Sequence, residues 1–99
     1  MPKGLIMKFK IIAEFGIKVY NDTDKYFAQT IIAESEEGLF WFDIIKTDDL
    51  QRYTSEKVSL SQIEIPTKEY NEEKDGFHSW CILGGEINID INSFKSVNV

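Results

Sequence analysis

The chain carries one histidine, His78, and one cysteine, Cys81. An imidazole three residues before a thiol can hold a metal or form a nucleophile–base pair, provided that both side chains reach the same point. Both lie in HSWCILGGEINIDIN (78–92), whose alternation reads as strand. In a strand, residues three apart point to opposite faces, so neither site is expected and Cys81 reads as a small packed residue. There is no CxxC, no HExxH and no second histidine. NDTDKY (21–26) begins like a loop of alternating oxygens but lacks the glycine and the distal glutamate of an EF-hand, so it reads as a turn. Gly84-Gly85 has no following helix or phosphate-binding lysine. Seventeen acidic residues must contain some pair at a workable distance for acid–base work, yet nothing in the sequence singles one out. The expectation is a protein that binds rather than catalyses, with no metal and no cofactor.

The charge balance narrows what such a protein would bind. Residues 1–33 hold five lysines against three acids, a net of +2, whereas residues 34–99 hold six basic against fourteen acidic residues, a net of −8. A surface of that sign repels nucleic acid and steers a basic protein toward it. A sheet that binds nucleic acid interleaves aromatic rings with Lys or Arg. Arg52 is the sole arginine and the lysines are scattered along the chain, so no nucleic-acid partner is expected.

The elements that must carry these groups are strands. From Leu5 to Val19 every odd position is apolar while Lys8, Lys10, Glu14 and Lys18 alternate with them, a period of two with Gly16 as the expected bend or bulge. KYFAQTIIA (25–33) and LFWFDIIK (39–46) continue a meander through turns at 21–24 and 35–38. Pairing Ser35 with Gly38 puts Asp43 beside Thr30 and sets Phe15, Ile17, Val19, Ile32, Leu39 and Trp41 on one face, the expected principal core. The other face still bears Phe27, Ile31, Phe40, Phe42 and Ile44, too much hydrocarbon to leave wet. Thr47 or Asp48 can cap a short helix over 48–54. Residues 58–65 read as a further strand, closed by Pro66, and residues 67–76 as a polar loop. Gly84-Gly85 reads as the tight turn of a terminal hairpin in which Ile82 faces Ile87, Trp80 faces Ile89 and His78 faces Ile91. That hairpin with 58–65 would make a second sheet over one face. The tail bearing Phe94, Val97 and Val99, or residues 48–56, would cover the other.

The resulting expectation is one domain over residues 1–99, all-β or β-rich, with six or seven antiparallel strands in a small sandwich or open barrel and one short helix near 48–54. A lone cysteine and the absence of an 18-residue apolar run suit a soluble, cytoplasmic protein without a membrane partner. The start codon is Met1 or Met7. The richness in Ile, Lys and Asn suits a bacterial source. Function then rests on a surface: an acidic inhibitor that occludes a basic partner, in the manner of an immunity protein against a bacterial nuclease toxin. The residues expected to carry it are Glu36, Glu37, Trp41, Asp43, Asp48 and Asp49, with Glu69, Tyr70, Glu72, Glu73 and Asp75 as a second patch. Two other readings are a small-ligand cavity lined by Phe27, Phe40 and Phe42, and a homodimer formed through the leftover aromatic face.

Overall fold

A computed structural model describes residues 6–20 and 25–90. Seven strands run in chain order: β1 (Ile6–Tyr20), β2 (Lys25–Ser35), β3 (Gly38–Thr47), β4 (Gln51–Val58), β5 (Tyr70–Lys74), β6 (Phe77–Leu83) and β7 (Glu86–Asp90). All pair antiparallel in one sheet of order β4-β3-β2-β1-β6-β5, with β7 paired to the remaining length of β1. The sheet is not closed, and no helix occurs among the described residues. The all-β expectation is met, as a single open sheet rather than two packed ones.

The β1–β2–β3 meander has the register that its turn chemistry implies: Ser35 pairs with Gly38, Thr30 with Asp43 and Ile32 with Trp41. The Ser35 hydroxyl accepts the Glu37 N–H at 3.1 Å and Gly38 takes φ +125°, a conformation that favours glycine. Residues 47–50 form no helical turn. The Thr47 N–H donates to the Leu50 carbonyl at 2.7 Å and the Thr47 hydroxyl accepts the Asp49 N–H at 3.3 Å, which turns the chain straight into β4. The expected helix over 48–54 is thereby replaced by a turn and a strand, because tertiary pairing with β3 outweighs a weak local cap.

The bend in β1 is displaced from its expected place. Ile11 pairs with Ala33 and Ala13 with Ile32, so Ile12 is the extra residue of a bulge, while Gly16 stays in regular register opposite Gln29 and Trp80. A one-residue bulge reverses facing. Phe9 and Ile11 therefore leave the Phe15 and Trp41 face and join Phe42, Ile31, Ala33 and Ile89 in the main buried cluster, with Met7, Phe40 and Ile87 packed around it. Phe9 meets Phe42 edge-on at 5.2 Å and Phe40 edge-on at 5.6 Å. Those rings spring from strands two apart, about 10 Å in a flat sheet, so the sheet curls concave on this side. The expected core face is the lesser one: Ala13, Ile32 and Cys81 are buried on it, but Ile17 remains 36% exposed.

The glycine pair does not make a hairpin. β6 pairs with β1 from Ala13 to Val19 and β7 pairs with β1 from Ile6 to Lys10, so the two run end to end along one neighbour. Gly84 and Gly85, at φ +84° and +114°, kink the chain opposite the β1 bulge, where the Gly85 carbonyl accepts the Ile11 N–H at 2.8 Å. Trp80 consequently stands beside Gly16 and Ile82 beside Glu14, rather than beside Ile89 and Ile87. The real two-residue hairpin is Asp75-Gly76, with φ of +53° and +80°, which joins β5 to β6 inside the stretch expected to be a loop.

The strand expected over 58–65 does not form: Val58 ends β4, and residues 59–65 are not strand. Ser59 and Gln62 close a turn, with the Gln62 N–H on the Ser59 carbonyl and the Ser59 N–H on the Gln62 side-chain oxygen. The chain then crosses from one sheet edge to the other. Gln62 and Ile63 share a cleft with Trp41, Glu56 and Val58. The crossing segment thus flanks Trp41 on one face of β3, while Phe40 and Phe42 on the other are packed by the curl of their own sheet. The turn at 21–24 and the tail bearing Phe94, Val97 and Val99, together with Ile91, lie outside the described residues.

Candidate functional site

The first expected patch is divided. Glu36 and Glu37 occupy the turn at one end of β3, and Asp48 and Asp49 the turn at the other. Ten extended residues separate the two ends by on the order of 30 Å, well beyond a Debye length, so the four carboxylates act as two separate groups. Trp41 and Asp43 lie between them and face inward. Trp41 is half-buried, with Phe15 edge-on at 6.1 Å, and the Asp43 carboxylate accepts the Thr30 hydroxyl at 2.7 Å. Both side chains belong to the packing of the sheet.

The second patch is brought together. Tyr70, Glu72 and Glu73 lie in β5, the terminal strand of the sheet, all of whose residues are exposed, with Glu69 just before it and Asp75 in its turn. Glu69 accepts the Leu83 N–H at 2.9 Å, and Glu73 accepts the Tyr20 hydroxyl at 2.7 Å. These two bonds bind β5 to the sheet while Glu72 and Asp75 project from it. The bond to Glu73, with some burial and the charge of the same carboxylate, raises the Tyr20 phenol above its ordinary range. Such a strand presents one row of backbone N–H and C=O groups without a neighbour, and acidic side chains along it deter pairing with other sheet edges while leaving it open to a cationic one.

No protein-family model, curated protein or solved structure matches the chain. The chemistry of the site must be read from its own atoms.

His78 pairs across from Lys18 and Cys81 across from Phe15, on opposite faces of the sheet. His78 Nε2 is 2.6 Å from the Asn71 side-chain oxygen, and Cys81 is 1% exposed, its thiol pushed up by burial and then by the Glu69 charge. A buried thiol held in its protonated form is a poor nucleophile. Among the described residues no group of three His, Cys, Asp or Glu side chains is placed to hold a metal ion, and no helix is long and apolar enough to cross a membrane. The three phenylalanines expected to line one cavity are separated: Phe40 and Phe42 pack on Phe9, whereas Phe27 stacks toward Trp80 at 5.9 Å.

One cluster escaped the sequence reading. On the concave side, Lys46, Phe27, Lys18 and His78 stand directly abreast on β3, β2, β1 and β6. The Lys46 amine lies 5.8 Å from the Phe27 ring and 6.0 Å from that of Tyr53. Trp80 lies across Gly16 and contacts His78 at 5.2 Å between ring centres. The Ser35–Gly38 pairing alone sets Phe27 opposite Lys46. What hid the cluster was the assignment of His78 and Trp80 to a hairpin with β7.

Proposed function

We propose that the protein is an interaction module that binds a basic protein partner along the acidic β5 edge. The observation that carries this reading is the convergence of Glu69, Tyr70, Glu72, Glu73 and Asp75 on one exposed terminal strand. Charge on this edge raises the encounter rate with a cationic surface, the backbone row that no described strand pairs gives an extended segment somewhere to bond, and Tyr70, 46% exposed, supplies an amphipathic anchor. In its specific form, the partner is a nucleic-acid-cleaving toxin whose basic groove is occluded, which makes the protein a cytoplasmic immunity protein. The net charge of −6 supports the sign of the partner, and a groove built to hold phosphates offers the complementary surface.

The test is capture from lysate of the source organism with the wild-type protein and with a Glu72→Lys, Asp75→Asn double variant. The Glu72 side chain makes no hydrogen bond or ion pair among the described residues, its backbone pairing with Ser79 does not depend on side-chain type, and Asn tolerates the left-handed φ at position 75, so the variant leaves the fold intact. A basic protein retained by the wild type at low salt, lost from the variant and losing its nuclease activity when this protein is added is the expected result. Identical capture by both proteins would remove β5 from the account.

A further inference from the structure

The row Lys46, Phe27, Lys18 and His78, with Trp80 one step behind it, lies on the concave face of the sheet and ends against Glu73 of β5. Cations and rings alternate there across four neighbouring strands, the pattern that the order of residues along the chain conceals. Two adjoining clefts share Lys18 and Phe27: one continues to Lys46 and Lys25, the other to His78, Trp80 and Ile82. Trp80 is held in place from below. A Cβ at Gly16 would come within 2.7 Å of its Cζ2, so the benzo ring lies against glycine backbone and its edge reaches Phe27. Ile82 beyond it is 48% exposed.

Neither amine is neutralised by a described carboxylate; Lys18 approaches the Tyr20 ring at 6.0 Å and Lys46 the rings of Phe27 and Tyr53. The carboxylates of the same face are engaged elsewhere, Glu14 by the Gln29 amide and Glu73 by the Tyr20 hydroxyl, while Asp48 stands at the far rim beside Thr47. A flat ring can stack on Trp80, whose edge reaches Phe27, and an anionic group attached to it then falls over Phe27 between Lys18 and Lys46, two strand spacings or about 10 Å apart. A molecule that is both is a nucleotide. We infer that this cleft binds a free nucleotide, its base on Trp80 and its phosphate over Phe27 between Lys18 and Lys46. The size of the row, two lysines and two rings, suits one nucleotide, and the acidity of the rest of the chain opposes a long polyanion.

The experiment is an NMR titration that follows the Trp80 indole N–H, assigned by comparison with Trp41→Phe, against AMP, adenosine, inorganic phosphate and a thymidine octanucleotide. The expected result is a saturable shift with AMP at about 1 mM or below, at least fivefold weaker binding of adenosine, and no shift of the indole with phosphate. A Lys18→Gln, Lys46→Gln variant, whose substitutions lie on exposed side chains, should weaken AMP about tenfold and leave adenosine unchanged. No saturable shift with AMP, or equal affinity in the variant, would overturn the site. Octanucleotide binding more than a hundredfold tighter than AMP would overturn the free nucleotide in favour of a single strand. Capture of a basic partner by β5 is independent of either result, because neither lysine belongs to that edge.

Discussion

The two halves of β1 share a strand and a concave face, yet they end in opposite states. From Ile6 to Lys10, where β7 is the neighbour, Phe9 is wholly buried against Phe40 and Phe42. From Ala13 to Val19, where β6 is the neighbour, the same face shows half-buried Trp80 and Phe27 with Lys18 and Lys46 around them. The change occurs at Ile12 and Gly84-Gly85, where both strands are bent at one level. One half is built to be dry, and the other keeps charged groups beside its rings. The lesson is that a bulge does more than bend a strand: it decides which side chains are spent on the core and which remain for contact with something else.

The comparison breaks most visibly at the dry half. Phe9→Ala or Phe42→Ala should destabilise the protein by about 3 to 5 kcal/mol in urea unfolding, against about 1 to 2 kcal/mol for Phe27→Ala, whose ring is already part-wet. Equal losses would mean that the two halves are packed alike. Gly16→Ala should cost about 1 to 3 kcal/mol, because the added methyl meets both the Ala28 carbonyl and the Trp80 ring, and the Trp80 fluorescence should shift with it. A neutral Gly16→Ala would show that Trp80 rests elsewhere. Thr30→Val leaves the half-buried Asp43 without its hydroxyl partner and should cost about 1 kcal/mol by the same unfolding assay.

The smallest effects concern single protons. Tyr20 has a raised phenol pKa in the folded state, so the folded protein holds its proton more tightly than the unfolded chain. The stabilisation is fully present below the ordinary phenol value of 10.0 and is lost as pH rises through the folded value. Tyr20→Phe should therefore flatten the alkaline limb of the stability profile and lower the plateau at neutral pH slightly, because the bond to Glu73 is lost there. Cys81 should react with a thiol reagent at neutral pH only as fast as the sheet opens, and at the same rate as unfolding when the reagent is in excess.

Strand periodicity exposed the meander to sequence reading because Ser35, Gly38 and the alternation around Thr30 and Asp43 are local signals, and local signals are read without knowing the rest of the fold. The Ile12 bulge leaves no such mark, since an extra isoleucine in an apolar run looks like its neighbours. The two glycine-bearing turns were exchanged for a physical reason. Two adjacent glycines permit a hairpin but equally permit a kink, whereas Asp75-Gly76 suits the left-handed pair that a two-residue hairpin needs. The β5 acids were found because they fall in one short stretch, EYNEEKD (69–75), while His78 joins Lys18 and Lys46 only once β6 is laid beside β1. Asp43 was legible as a partner of Thr30, and its place in the packing follows from that bond.

The claim with most resting on it is that the acidic β5 edge steers a basic partner. It is tested most directly by stopped-flow association of the captured partner with the wild type and with the Glu72→Lys, Asp75→Asn variant across ionic strength. The variant should associate at least tenfold more slowly at low salt, and the two rates should converge as salt rises. Equal rates at every ionic strength would contradict it and leave the acidity of β5 as protection for an open sheet edge.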